Sequence, residues 1–427
     1  MKKVFHGWWV VAATFFSFGL AVGWPYYNIS FFYDYFEKTF GWSKSDITLG
    51  FPIGALLTIW VGPVLVPRFS PRKLILVGTA LTCVAFLGFG TMGPTLWIYW
   101  GFWFVYTVGY MLSGPIPHQI IVSQWFRKKR GTAMGILYVG VGLVGFLGSF
   151  FVKPLTESTN FHTALMVWGA MVLLAWPLAI FVHRDRPADK GLYPDGADTP
   201  SAESLVQARS YRDLIHRYSF WLLVLGSACS IGSIGAVNFH MKLVFLDHMT
   251  VSPTDPQFQP LLNSTWRAAS MIILASSIAG RVIIGLTSDR FNKKWVMVIS
   301  YFLSALTIPL LLTVEPPATP WPFALLFGFA MGADYMLIPL MAAEQFGVNS
   351  LARCMAIILP VNTIAQTWFP YLVARIRDAS GTYSVAMGVV VFAVALTSGL
   401  CIALMPRREK DDAALHVQDA RRAASQR

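Results

Sequence analysis

Charge is what this 427-residue chain has least of: Asp, Glu, Lys and Arg make up 13% of it. An ordinary soluble domain carries about 25%, so a mostly water-facing surface is excluded. Acids are the scarcer sign, 21 against 33 basic residues, for a formal net charge of +12. Cysteine is scarce too. Cys83, Cys229, Cys354 and Cys401 each fall inside an apolar stretch, without metal-ligand spacing. That excludes a disulfide scaffold and reads as free thiols packed like small apolar side chains. A phosphate-cradling G-x-x-x-x-G-K-[ST] loop is missing, so the chain is expected to have no ATP hydrolysis of its own. A hydrolase G-x-S-x-G context is missing as well. The chain is therefore not expected to be an enzyme or a primary pump, and no cofactor or metal is expected.

What is plentiful is apolar: 55% hydrophobic residues and 15% aromatic ones, which excludes disorder. A membrane helix needs roughly 20 mostly apolar residues. Twelve such stretches run approximately 7–31, 47–67, 73–93, 96–123, 131–153, 162–183, 218–245, 263–287, 295–314, 321–345, 354–374 and 383–405; they are spans 1 to 12 below. Met1-Lys2-Lys3 before an apolar run resembles a signal peptide, but the run is too long for an h-region and has no A-x-A site. It is read as an uncleaved first span.

The positive charge resolves into the loops. Arg68, Arg72 and Lys73 follow span 2, Arg127-Lys128-Lys129-Arg130 follows span 4, and Arg290, Lys293 and Lys294 follow span 8. The ends add Lys2, Lys3, Arg407, Arg408 and Lys410, while the alternate loops are nearly neutral. By the positive-inside rule both termini are expected in the cytoplasm of a multi-pass inner-membrane protein. Only Arg375 and Arg377 run against it. A nucleic-acid partner is excluded, because the basic residues lie between membrane spans.

A polar stretch, 185–216, divides the chain into an N-terminal six-helix bundle, 1–184, and a C-terminal one, 217–405, followed by a polar tail, 406–427. Ser210 to Arg217 is expected to form an amphipathic surface helix leading into span 7. The halves look related. Gly285-x-x-x-Asp289-Arg290-x-Asn292-x-Lys294 after span 8 stands where Gly62-Pro63-Val64-Leu65-Val66-Pro67-Arg68-Phe69-Ser70-Pro71-Arg72-Lys73 stands after span 2. This pattern resembles the loop signature of the major facilitator superfamily. The resemblance implies an all-α membrane protein of twelve transmembrane helices in two six-helix bundles around a central cavity. It implies a conformational latch at Asp289, Arg290 and Arg68. The first copy is degraded, with Pro67 in place of the family's Asp and Ser70 in place of Gly.

A narrower resemblance, to the monocarboxylate transporter and oxalate–formate antiporter branch, rests on several segments. These are His6-Gly7-Trp8-Trp9-Val10-Val11, Trp24-Pro25 with Phe31-Phe32, Trp125 to Gly135, Arg186 to Gly196, and Ile278-Ala279-Gly280-Arg281. It implies that Arg281 binds a substrate carboxylate. Two positions depart from the branch: Tyr26 replaces the Lys usual after the first-helix Pro, and Ser277 replaces the acid or Asn one turn before the arginine.

The residues point the same way. A charge inside a span costs at least ~2.5–3.5 kcal/mol, so each is a candidate functional group. Arg281 shares a helical stripe with Trp266, Ser270 and Ser277, and a guanidinium grips a carboxylate with two parallel hydrogen bonds. A structural ion pair or snorkelling is the competing reading. Asp334, mid-span 10, is read as the proton carrier or as the ion-pair partner of Arg281. His240 in span 7 is a second proton candidate, and His118 follows the helix-breaking Gly114-Pro115-Ile116-Pro117. Tyr26, Tyr110, Tyr335 and Asn362 are candidate substrate contacts. Glycines 135, 140, 142, 145 and 148 in span 5 are read as close helix packing. The expected function is secondary active transport of small organic anions, monocarboxylate uptake coupled to protons, by a monomer. Anion exchange, or export of amphipathic compounds, is the alternative. A transport-derived sensor finds little room in the short linker and tail.

Overall fold

Helix is the only regular structure among the described residues, 5–199, 207–316 and 320–406 of the computed structural model. A chain that crosses lipid must satisfy its own backbone polar groups, and helices do so within each segment. Among the described residues ten helices are long and apolar enough to cross: Gly7–Phe40, Pro71–Thr91, Arg130–Ser158, Phe161–Val182, Tyr218–Asp247, Phe258–Arg290, Lys293–Leu312, Trp321–Phe346, Val348–Ser380 and Tyr383–Leu404. They answer to spans 1, 3 and 5 to 12.

The two other spans are broken, for reasons visible in their sequence. Span 2 is a helix over Gly50–Leu57, a turn at Thr58, and a second helix over Val61–Leu65 that Pro67 cannot extend far. Span 4 is Leu96–Ser113 and then Pro115–Trp125, jointed at Gly114 (φ −83°, ψ −136°). Span 1 runs past its expected end to Phe40, where Gly41 takes φ 69° and closes the helix. Inside it a π-helical turn over Gly19–Gly23 precedes Pro25, and a π-bulge is one way a helix absorbs a residue without an N–H.

Helix starts follow the loop chemistry. Ser70, with Pro71 behind it, caps span 3, and its hydroxyl accepts from the Lys73 N–H at 3.5 Å. Asn292 caps span 9 in the same way, its Oδ1 accepting from Lys294 at 3.0 Å. The related loops thus share a cap as well as a sequence pattern. The tail from 407 onward and the basic residues Lys2, Lys3, Arg407, Arg408 and Lys410 lie outside the described residues.

The chain forms two compact units: Met1–Trp221 with Pro339–Ile357 and Leu404–Arg427, and Leu222–Ile338 with Ile358–Ala403. In the first, aromatic rings fill the core. Trp24 stacks on Trp168 at 4.0 Å, and in the same cluster Tyr99 packs edge to face with Phe36 and Trp103 while Phe89 lies tilted against Trp103. Spans 1 and 5 touch backbone to backbone. A Cβ on Gly23 would lie 3.0 Å from the Gly145 nitrogen, and Asn28 Nδ2 donates to the Gly145 carbonyl at 3.1 Å. The span 5 glycines are a packing seam.

The linker docks on the first unit through carboxylates. Asp185 Oδ1 accepts from the Arg72 N–H at 3.0 Å. Asp195 takes φ 58°, the one non-glycine in the left-handed region among described residues. There its Oδ2 accepts from the N–H groups of Arg127 (3.0 Å) and Lys128 (2.7 Å), and its Oδ1 from Lys129 (3.4 Å). Three successive amides ahead of a helix make an anion-binding concavity, and the chain fills it with its own acid. Ser210 and Asp213 form a capping box at the short helix Tyr211–Ile215, inside the segment expected as a surface helix. The Ser210 hydrogen bonds hold the Asp213 carboxyl below its usual range. Burial pushes the Tyr211 phenol up to about 12, so it stays a donor to the Pro63 carbonyl, 2.9 Å away.

Candidate functional site

In the second unit, spans 8 and 10 meet along a seam of small residues. A Cβ on Gly328 would lie 2.7 Å from Ile273 Cα, one on Gly280 3.1 Å from Phe329 Cα, and one on Gly332 2.8 Å from Ser277 Cα. No side chain larger than hydrogen fits at those points, so the two backbones touch. From Gly328–Ile273 to Gly332–Ser277 the contacts advance by four residues on each helix, so the spans run in the same direction. Arg281 stands one turn beyond Ser277 and Asp334 two residues beyond Gly332. At 1.5 Å per residue the two charges lie within about 3 Å of the same level.

They do not share a face. Two residues on a helix turn about 200°, so Asp334 points away from the face Gly332 gives to span 8. Its partners lie on spans 7 and 9. Ser230 Oγ donates to Asp334 Oδ2 at 2.7 Å, and the Tyr301 ring stands within electrostatic reach. Asp334 Oδ1 and the Tyr301 hydroxyl are both buried with no hydrogen bond formed between them. Helical phase and partners therefore set this acid apart from the span 8 arginine. Tyr335, next in sequence, returns toward span 8, and its hydroxyl donates to Gln366 Oε1 of span 11 at 2.8 Å. Arg281 itself is half-buried, with Nε and Nη1 shielded from solvent.

The remaining candidates of this unit divide. Asn362 is fully buried, with Oδ1 accepting from Ser227 Oγ at 3.0 Å and Nδ2 left without an acceptor. Ser277 is buried against Gly332, and its hydroxyl donates back to the Leu274 carbonyl at 2.8 Å. Along the stripe toward the other end, Trp266 is open and holds the Lys242 ammonium 5.2 Å from its ring. His240 is bonded at both nitrogens: Nε2 to the Pro370 carbonyl at 2.9 Å and Nδ1 to the Tyr383 hydroxyl at 2.9 Å. A carbonyl only accepts, so Nε2 carries the proton and Nδ1 accepts from the tyrosine. Arg377 joins the same corner, over the Tyr383 ring at 5.5 Å and 3.6 Å from Asp247. His240 thus sits at a three-helix joint well beyond the Arg281 level, not beside it.

Tyr26 and Tyr110 belong to the first unit. Their rings are 6.0 Å apart and both contact Phe51, at 5.2 and 5.8 Å. Tyr106 extends this aromatic wall with a buried hydroxyl that has no partner. Of the residues expected to form a latch, Arg68 and Arg290 are exposed and Asp289 is half-buried. In the degraded first copy the acid is supplied from elsewhere: Asp185 of the linker takes the Arg72 N–H, and the Arg72 guanidinium donates to the Ile180 carbonyl at 2.7 Å.

Sequence reasoning missed Ser227, Ser230, Tyr301 and His183. The serines carried a signal, since Ser227, Ser230 and Ser233 recur every three residues on one face of span 7. Tyr301 and His183 carried none; only packing brings them to Asp334 and His118.

Two helical units, each with polar groups buried inside apolar spans, are the build of a multi-pass membrane transporter. The Major Facilitator Superfamily model matches residues 10–370, and the chain belongs to that family. It is 26% identical over 367 residues to MFS-type transporter 1 of Ophiocordyceps sp. (strain BCC 1869), covering 81% of this chain and 73% of that one. It is 22% identical over 447 residues to monocarboxylate transporter 12 of Mus musculus, covering 97% and 89%. Among solved structures, the proton:xylose symporter XylE bound to 6-bromo-6-deoxy-D-glucose superposes with a TM-score of 0.66 at 13% identity, over 94% of this chain and 96% of that one. That likeness shows the fold: the twelve-helix architecture expected from the apolar stretches, with spans 2 and 4 broken. The protein is a transporter and not an enzyme.

Proposed function

We propose that this transporter carries small organic anions, monocarboxylates first among them, together with a proton, by alternating access. The observation that carries the reading is the pairing of levels in the second unit. One arginine inside the membrane and one buried acid sit on adjacent, touching helices, turned to different faces. Arg281 holds the carboxylate with two parallel hydrogen bonds, and Tyr335 with Gln366 supplies polar contacts beside it. Asp334 takes the proton at Oδ1, the oxygen without a donor. An acid on the far face of span 10 is not neutralised by the arginine. It couples to the anion through the position of the helix that carries Tyr335. The name of the mouse relative, a monocarboxylate transporter, supports the substrate class.

Tyr26 and Tyr110, with Asn362, complete the substrate contacts in this reading, and His240 serves as an alternative proton carrier. In this reading both termini lie in the cytoplasm of an inner-membrane protein, which the basic loops support through the positive-inside rule, and Asp289, Arg290 and Arg68 act as the latch. Uptake of radiolabelled short-chain monocarboxylates into proteoliposomes with an imposed inward proton gradient tests the proposal. Accumulation above protein-free vesicles is expected. None above that control, across a panel of chain lengths, overturns the monocarboxylate reading.

A further inference from the structure

The first unit buries two histidines around one hydroxyl. His118 and His183 are both fully buried, with ring centroids 6.0 Å apart. Ser17 Oγ of span 1 lies 2.6 Å from His118 Nε2 and 3.4 Å from His183 Nε2. His118 Nδ1 faces the Gly114 carbonyl at 2.8 Å. Phe18 stacks on the His118 ring at 5.0 Å and excludes solvent from that side.

These contacts fix the direction of every hydrogen bond. A carbonyl only accepts, so His118 Nδ1 carries a proton and neutral His118 has a bare Nε2. Ser17 has one proton to give and gives it to that nitrogen. Its oxygen can then only accept from His183, so His183 Nε2 carries a proton and Nδ1 is bare. The structure leaves that Nδ1 buried and without a partner. The result is a one-way chain, from His183 through Ser17 to His118, with an open acceptor at its head. The head lies just past the end of span 6, where Arg184 Nη1 donates to the His183 carbonyl at 2.8 Å. The tail ends at the Gly114 joint of span 4.

We propose that Ser17, His118 and His183 form a second proton-binding site, separate from Asp334, which takes a proton at His183 and holds it at His118. The bonds balance. A proton from water binds His183 Nδ1, the His183 Nε2 proton moves to Ser17 Oγ, and the original Ser17 proton moves to His118 Nε2. His183 is left neutral as its other tautomer, Ser17 is again a hydroxyl, and His118 is the imidazolium. Its two N–H groups then point at the Gly114 carbonyl and Ser17 Oγ.

The groups that face the chain are few. From span 3 the Arg72 guanidinium acts on His183, from span 1 the Ala13 carbonyl faces the His183 ring, and His183 in turn acts on His118. From the end of the first bundle comes Arg184, and from the linker Asp185, held by the Arg72 N–H. From spans 4 and 5 come the neutral pair Gln119 and Tyr138, whose side chains are hydrogen-bonded together beside Phe18. The site asks nothing of Arg281 or the transported anion, so it stands or falls apart from the proposed function.

Nitrogen-15 NMR of histidine-labelled full-length protein in lipid vesicles tests it, because ring shifts separate the two neutral tautomers from imidazolium. His118→Gln and His183→Gln assign the signals, each glutamine keeping an amide in place of the ring. Near neutral pH, His118 is expected as the Nδ1–H tautomer and His183 as the Nε2–H tautomer. On acidification imidazolium should grow at His118 first. Ser17→Ala should move the His118 midpoint by at least about half a pH unit, and Ser17→Thr, which keeps the hydroxyl, should restore it. The reverse tautomers, imidazolium first at His183, or a midpoint indifferent to Ser17→Ala, would overturn the relay. Should a glutamine variant fail to fold, the tautomer ratio and the Ser17 response are still read on the parent and the serine variants.

Discussion

Replacing Gly332 by alanine probes the seam on which the candidate site depends. The added Cβ would stand 2.8 Å from both Ser277 Cα and its carbonyl carbon, where ordinary contact begins at 3.4 Å. The shortfall is 3.4 less 2.8, so spans 8 and 10 must part by at least 0.6 Å. The obstacle is backbone, which cannot swing aside as a side chain would. Overpacking of this kind costs typically ~1–3 kcal/mol, partly offset by the up to ~1 kcal/mol that alanine gains over glycine in a helix. Gly101, in the interior of the first half of span 4, supplies the control, since nothing lies within 4 Å of its Cβ position. Gly101→Ala should be neutral or stabilising by ~0.5–1 kcal/mol. The assay is the thermal unfolding midpoint of both variants in one detergent, alongside carboxylate uptake after reconstitution. Gly332→Ala should unfold below the parent and transport more slowly, while Gly101→Ala does neither. If Gly332→Ala unfolds at or above the parent, the two backbones do not touch, and the shared level of Arg281 and Asp334 loses its basis.

Further outcomes follow from single contacts. Arg281→Lys keeps the charge but loses the planar fork, and should raise the substrate KM by tenfold or more, about 1.4 kcal/mol; an unchanged KM means the arginine does not bind the carboxylate. Asp195→Asn keeps an acceptor and tolerates the left-handed backbone, so it should loosen the linker only slightly. Asp195→Ala strips three amides of their acceptor and should cost ~0.5–2 kcal/mol, as lost helix caps do, read as faster proteolysis within 185–199. Equal cleavage rates in the two variants would show that the carboxylate does not hold the linker.

The architecture was legible because its signals are cumulative. Twenty apolar residues must form a helix in lipid, and basic loops recur at every second turn of the chain. The break in span 4 was expected at Gly114-Pro115-Ile116-Pro117 and falls there; span 2 was read as a plain crossing, although Pro63 and Pro67 mark where it breaks. Arg281 stood out because an unexplained cation inside a span is costly. Its relation to Asp334 was not readable, since an ion pair and a separate proton carrier differ only in helical phase, and phase needs the Gly332–Ser277 contact as reference. Tyr301 and His183 were beyond reach for another reason. A tyrosine in span 9 and a histidine at a helix end are ordinary residues until packing sets them beside a carboxyl or a second imidazole. Asp185 shows the same limit: the first-half loop lacks an acid, and the linker returns one from more than a hundred residues away.

The central claim is that anion binding and proton binding are done by two separate groups in the second unit. Asp334→Asn in proteoliposomes tests it most directly, with exchange and gradient-driven uptake of the same labelled monocarboxylate measured side by side. The amide still accepts from Ser230 but cannot carry a proton across the transport cycle. Exchange should persist near the parent rate while accumulation against a gradient disappears. Accumulation that persists unchanged would contradict the account and remove Asp334 as the proton carrier.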